Sequence, residues 1–503
     1  MHARTTRLAS LLGGTAVLAA SVALLPGGSS SAAPGHGDGT TSPLTLWAPT
    51  EVTAQTWRGN AYTNLGLRVV APEAAVEVWS QRASYDDPVV ATWVQPDGTR
   101  VTLPEGSMTS FTGLTDFVDV TITRPGSTQP LTSMTLPGCL NGRGQRIHPD
   151  APARSPYPQG CPWNPYTLGS VMGVQAGWSN HIVDEWGMSL PLKQGEYDVT
   201  ATITEPYVTA FGIEEADATR TFTLKVVKED GSFRPRAPRS ADGHPAPGER
   251  GLDERPMTAE GAQAGPLPDL RSLPAWDLQV NRKSTALRFA ANVWNAGDSP
   301  LVVEGFREDS DDHLHTYQFF FDSDGEQVGR TPDPVGEMGW HAGNHNHWHF
   351  EDFAQYRLEA VEGGQVVKSR KQSFCLANTD AVDYTVPGAD WQPGGTDLST
   401  ACDGRGALSV RQVLSAGSGD TYYQYRVGQA FRLKNVPDGL YNVVVHANPL
   451  LNLVESDTTN NVSERLVRIR TVKRGPDKGD RRVKAFPVGI IDEGGSFGFF
   501  RNR

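Results

Sequence analysis

Alternating apolar and polar positions run through most of this chain in short bursts bounded by Gly, Pro, Asp and Asn. GLRVVA (66–71), AAVEVWSQ (74–81), VVATWVQPDGTRVTLP (89–104), DFVDVTITRP (116–125), GEYDVTATI (195–203) and ATRTFTLKVV (218–227) all follow the period of two expected of half-buried strands. Asp97-Gly98 sits between two such runs and reads as a hairpin turn. The same pattern returns in ALRFAANVWNAG (286–297), HTYQFFFD (315–322), FAQYRLEAV (353–361) and LYNVVVHANP (440–449). Between the two groups, 229–265 is rich in Pro, Gly and charge and poor in large apolar residues, so burial there cannot offset the entropy of ordering.

The pattern predicts a mainly β protein: an immunoglobulin-like β-sandwich over 44–228, a flexible linker over 229–265, a second β-rich domain over 266–472 and an extension over 473–503. The extension is either packed on the domain or a disordered arm. A length of 503 residues fits more than one core. The first residues differ from all of this. Arg4 and Arg7 precede a short apolar run, and SSSAAP (29–34) offers a small-residue cleavage site after Ala32, which reads as a signal peptide over 1–32 and export. No later segment is long and apolar enough to span a membrane. The formal charge of −12 argues against nucleic-acid binding.

Four cysteines suit an oxidising compartment. Three pairings are formally open, and nearest-neighbour pairing, Cys139 with Cys161 and Cys375 with Cys402, closes loops each contributing about 3 kcal/mol. No CxxC motif is present.

The chemistry concentrates in WHAGNHNHWHF (340–350), which holds four of the twelve histidines. Gly343, Asn344 and Asn346 disfavour a helix. In an extended segment His345, His347 and His349 share one face, but the outer two would stand roughly 13 Å apart, so joint ligation requires a curled backbone. Three imidazoles suit copper or zinc rather than calcium or magnesium, and residue chemistry does not separate those two. A zinc hydrolase lacks an HExxH signature here. ESDTTNN (455–461) independently offers hard oxygen ligands, Glu455, Asp457, Asn460 and Asn461, in the manner of a Ca2+ site.

Trp340-His341 followed by His345-Asn346-His347-Trp348-His349 resembles the copper-binding motif of the lysyl oxidase family. LPDL (267–270), ALRFAANVWNAGDSPL (286–301), RKQSFCLANT (370–379), GDTYYQY (419–425) and NPLLNLVESDTTNN (448–461) resemble further family segments in the same order. The resemblance implies Cu2+ on His345, His347 and His349, with His341 displaced by one residue. It also implies lysyl tyrosylquinone formed from Lys371 and Tyr422, and a calcium site joined by Asp269 and the Leu270 carbonyl. The implied activity is oxidation of primary amines, including peptidyl-lysine ε-amines, by O2 to aldehydes, ammonia and peroxide, in a secreted protein. Two departures matter. Where many members carry a histidine after the triplet this chain has Gln355, so that proton-transfer role does not transfer. The cysteine complement is also thinner, leaving Cys375–Cys402 as the bridge of this domain. The other reading is a copper-binding or surface adhesion protein that keeps the fold without the quinone.

Overall fold

The strand that carries ALRFAANVWN, Ala286–Asn295, shows how the two halves of the chain are joined. Its first residues alternate between buried and partly exposed, but from Phe289 to Asn295 every position is buried. Leu287, Phe289, Ala291 and Val293 enter the core of the second half. Ala290 and Trp294, on the other face, pack with Leu273, Trp276 and Val382 around Tyr166 of the first half. A strand covered on both faces loses its polar alternation.

The computed structural model describes residues 42–228, 265–473 and 482–488, apart from 58, 143, 184–186, 284, 308–312, 323, 342–345, 365, 370, 395 and 397. The expected signal peptide and linker lie outside these residues. Ser42–Arg503 form one compact unit. The protein is mainly β. Among the described residues, three sheets are built from 45–228 and three from 270–487.

In the first half a seven-stranded sheet runs in the order Met188–Leu190, Asn60–Thr63, Glu51–Trp57, Thr219–Lys228, Gly195–Ile203, Leu114–Thr123, Pro130–Gly138. Its pairs are antiparallel except Thr219–Lys228 with Glu51–Trp57. Two four-stranded sheets share one core with it, to which the three sheets contribute, among others, Val78, Val69 and Leu224. The hairpin expected at Asp97-Gly98 is present: Gln95 N–H donates to Thr99 O at 2.8 Å, and Gly98 takes φ +85°. Cys139 and Cys161 are bonded.

In the second half one sheet contains Leu270–Ser272, Ala286–Asn295, Ser418–Tyr422 and Asp380–Ala381 in that order. A second runs His347–Phe350, Gly336–His341, His313–Phe321, Leu301–Phe306, Ser409–Leu414. The third runs Val366–Lys368, Ala354–Ala360, Gly439–Ala447, Val462–Lys473, Arg482–Pro487. Of the tail, 482–487 pair antiparallel with Val462–Lys473 and bury Val483. Cys375 and Cys402 are bonded.

The halves meet through backbone as well as side chains. Leu168 N–H donates to Val382 O at 2.9 Å and Tyr384 N–H to Gly169 O at 3.1 Å. Tyr166 is fully buried, packs edge-on to Trp276 and accepts a hydrogen bond from the Arg465 guanidinium at 3.2 Å. Replacing so large a buried aromatic side chain by alanine is expected to cost about 3–5 kcal/mol. Urea unfolding of Tyr166→Ala monitored separately in each half should show both transitions shifting together. A shift confined to the first half would show that the halves are not energetically coupled.

Candidate active site and an oxygen-rich clasp

The histidine run forms the end of one strand and the start of the next. Gly336–His341 pairs with His347–Phe350, placing His341 opposite His347 and Gly339 opposite His349. Asn346 takes φ +51°, a left-handed conformation that asparagine tolerates, and its N–H donates to His341 O at 2.8 Å. His347 and His349, two apart on a strand, point the same way. Their Nε2 atoms stand 2.8 Å apart. His341 is not displaced from this group: its ring stacks on His349 with centroids 4.2 Å apart. Its Nε2 lies 3.0 Å from Glu351 Oε1 and 3.1 Å from Ser373 Oγ. Ser373 Oγ also stands 3.3 Å from His349 Nδ1, so one hydroxyl orients two imidazoles. His345 lies outside the described residues, and among the described residues no three His, Cys, Asp or Glu side chains converge tightly enough to hold an ion.

Phe350 and Phe374 exchange two backbone hydrogen bonds, Phe350 N–H to Phe374 O at 2.7 Å and Phe374 N–H to Phe350 O at 3.0 Å. This bridge aligns the segment carrying Lys371 beside the histidine strand. Lys371 is 7% exposed, and its Nζ lies 4.2 Å from the centroid of the Tyr422 ring and 5.2 Å from that of Phe374. The Phe374 ring meets Tyr422 edge-on, with centroids 4.7 Å apart. Tyr422 ends the strand Ser418–Tyr422, held in register by Ala291, and its hydroxyl accepts the Cys375 N–H at 3.3 Å. Thus Lys371 and Tyr422, 51 positions apart in sequence, share one pocket.

Burial sets the electrostatics of this pocket. It lowers the Lys371 ammonium to about 8, against an upward pull from Asp420 and a further downward push from Arg426. It also lifts the Tyr422 phenol well above the usual tyrosine range, and the neighbouring Asp420 charge adds to the effect. Asp420 precedes Tyr422 by two on the same strand, so both side chains lie on one face. Its carboxyl is pushed well above the usual range by burial, and Oδ2 has no hydrogen-bond partner. Asp420, Ser373, Phe374 and Glu351 were not singled out by sequence. The one available cue was Asp420 standing two places before Tyr422.

The second expected cluster also comes together. Asp269 Oδ1 accepts from Asn460 Nδ2 at 2.9 Å, and Asp457 Oδ2 accepts from the same nitrogen at 3.1 Å. Glu455 Oε1 accepts from Asn448 and Asn461 Nδ2, each at 2.7 Å. Leu270 meets the motif through its N–H, which donates to Glu455 Oε2 at 2.8 Å, rather than through the expected carbonyl. Arg271 covers Asp269 Oδ2 at 2.7 Å. The buried Oδ1 atoms of Asn460 and Asn461 are left without hydrogen-bond partners. These contacts tie the first strand of the second half to the loop before its long strand Val462–Lys473.

A β-rich scaffold with adjacent imidazoles beside a buried lysine–tyrosine pair defines a narrow class of site. Residues 330–472 match the family model for lysyl oxidase. The chain is 34% identical over 125 residues to lysyl oxidase homolog 1 of Homo sapiens, covering 24% of this chain and 19% of that protein. It is 32% identical over 124 residues to lysyl oxidase homolog 4 of Mus musculus (24% and 14%). To lysyl oxidase homolog 2A of Danio rerio it is 31% identical over 147 residues (28% and 18%). The chain therefore spans less than a fifth of the length of each of these relatives.

Because the folded pKa of Lys371 lies below its unfolded value, the site favours the neutral amine, and its cost to stability falls as pH rises from about 8 toward the model-peptide range. An NMR titration of the Lys371 ε-carbon should show a midpoint near 8. Asp420→Asn should move it lower, since the carboxylate is what opposes the shift. A midpoint at the ordinary lysine value of about 10.4 would mean that the amine is solvated.

Proposed function

We propose that this chain is an exported copper-dependent amine oxidase in which Lys371 and Tyr422 are joined as lysyl tyrosylquinone. The observation that carries the reading is the Lys371 Nζ held 4.2 Å from the Tyr422 ring centroid, in a buried pocket one bridged segment away from paired imidazoles. Primary amines, including peptidyl-lysine ε-amines, are the proposed substrates. The balanced reaction consumes one amine, O2 and water and yields aldehyde, ammonia and hydrogen peroxide.

The donor set suits copper: a set of three imidazoles favours a late first-row ion, and the Nε2 atoms of His347 and His349 already face each other. His345, His347 and His349 would hold the ion. Ser373 would fix the His349 ring through its second nitrogen, as outer partners of ligating imidazoles do. When formed, the quinone would supply a carbonyl that captures primary amines and a sink for two electrons that O2 then removes as peroxide.

The protein's own residues prepare this chemistry. Burial keeps about one in ten Lys371 amines neutral at pH 7, far more than for a solvated lysine, and this is the form able to add to an oxidised ring. Phe374 confines the Tyr422 ring, and the Cys375 N–H holds its oxygen. Asp420 Oδ2, unpartnered and on the same strand face, is the group suited to accept a proton from Lys371 Nζ or from a bound amine. To take Ca2+, the Asp269, Glu455 and Asp457 carboxylates of the clasp would draw closer together than they stand here, joined by Asn460 and Asn461 oxygens. The orphaned Asn460 and Asn461 Oδ1 atoms support this reading, and the role would be structural.

Two experiments test the proposal. Copper-loaded wild-type protein should release peroxide with primary amines and bind hydrazine-type carbonyl reagents. Lys371→Met and Tyr422→Phe should lose both responses while keeping copper, whereas His349→Ala should lose copper. No peroxide from any amine, with Lys371→Met indistinguishable from wild type, would make the chain a copper-binding protein that retains the fold. For the clasp, Glu455→Gln should abolish any Ca2+-dependent rise in melting temperature. It should also cost about 1–3 kcal/mol, because buried amides lose their charged acceptor. A melting temperature unchanged by Ca2+ in the wild type would remove the metal from the clasp.

A further inference from the structure

We propose that the cleft between the Cys139–Cys161 loop and the segment 379–394 is a binding site for an organic ammonium group. The cleft has a volume of about 340 Å³ and is walled by Trp163, Tyr384, Trp391 and Asp380; among the described residues no Lys, Arg or His lines it. Aromatic faces together with one carboxylate, and no competing cation, form the environment that stabilises a desolvated ammonium. A neutral ligand could stack on the same faces but would have no use for the carboxylate.

Asp380 is the group that asks for a cation. It is 7% exposed, and its Oδ2 accepts from Asn164 Nδ2 at 3.0 Å and from Thr421 Oγ1. Its Oδ1 has no hydrogen-bond partner. Burial raises its carboxyl to about 6, a cost that an ammonium in the cleft would offset. The walls are braced on both sides. Trp163 stacks on Tyr423 with centroids 5.4 Å apart, and Tyr423 stacks in turn on Tyr425 at 5.5 Å. Trp391 packs edge-on to Trp79 and face-on to Tyr157. Gln392 Nε2 donates to the carbonyls of Ser155 and Tyr157, each at 2.6 Å.

The position gives the cleft a role. Asp380–Ala381 pairs with the strand that ends at Tyr422, and Trp163 rests on the very next residue. The cleft's contacts, Thr421 and Tyr423, lie on the strand face opposite Tyr422, so the cleft would retain a lysine-bearing chain by one ammonium while other amines of that chain are oxidised. That role rests on the amine oxidase reading, whereas binding itself does not.

The test uses the full chain carrying Lys371→Met, so that turnover cannot intervene. Calorimetry with choline, which has no oxidisable amine N–H, should give saturable binding, at least tenfold tighter than for its neutral isostere 3,3-dimethyl-1-butanol. Asp380→Asn should weaken choline at least tenfold and leave the alcohol unchanged. Trp163→Leu, which leaves the Asp380 hydrogen bonds intact, should weaken both and covers the case in which Asp380→Asn misfolds. Equal affinity for choline and the alcohol, full choline affinity in either variant, or no saturable binding would overturn the site. Choline binding in a protein that never produces peroxide would leave the site standing and refute the oxidase reading instead.

Discussion

The two backbone hydrogen bonds between Phe350 and Phe374 connect the histidine strand to the segment that carries Lys371, and the rest of the site hangs on them. Both phenylalanines are buried, so the bridge is shielded from water and its polar groups have no other partner to turn to. On one side of it Ser373 reaches His341 and His349. On the other, Cys375 is bonded to Cys402, whose carbonyl accepts the Trp348 N–H at 2.8 Å. A single bridged pair is thus reinforced by a covalent link and a second hydrogen bond.

That geometry has an electrostatic consequence. Lys371, Asp420 and Tyr422 share a volume from which water is largely excluded, so each resists carrying charge alone. Proton position within the group is therefore set by the three together rather than by solvent, which suits chemistry that must move protons between an amine, a carboxyl and a phenol. The first half of the chain adds to this enclosure. Asn164 and Thr421 meet on Asp380, and Trp163 covers Tyr423, so the segment 157–168 forms part of the wall behind the Tyr422 strand. What looked in sequence like a separate module is physically continuous with the site.

Much of this was legible in residue pattern. Period-two alternation located Val76–Gln81, Gly195–Ile203, Ala354–Ala360 and Gly439–Ala447 as strands, because one face of each meets a core and the other meets solvent or polar partners. The same rule said too little about Ala286–Asn295, whose second buried face is supplied by Tyr166, more than a hundred residues earlier. In the site, the resemblance pointed to Lys371 and Tyr422, and the structure brings them together. Ser373, Phe374 and Asp420 stayed hidden because their roles arise from a bridge and a strand face that local composition does not encode. His341 seemed one residue out of step, yet strand pairing sets it opposite His347.

The central claim is that this pocket cross-links its own lysine and tyrosine. Peptide mapping by mass spectrometry of protein expressed without copper, then incubated with Cu2+ in air, addresses it directly. The account predicts a covalent species joining the Lys371 and Tyr422 peptides that forms with copper and O2 and is absent without either. Recovery of both peptides unmodified after full copper loading and prolonged aeration would contradict it.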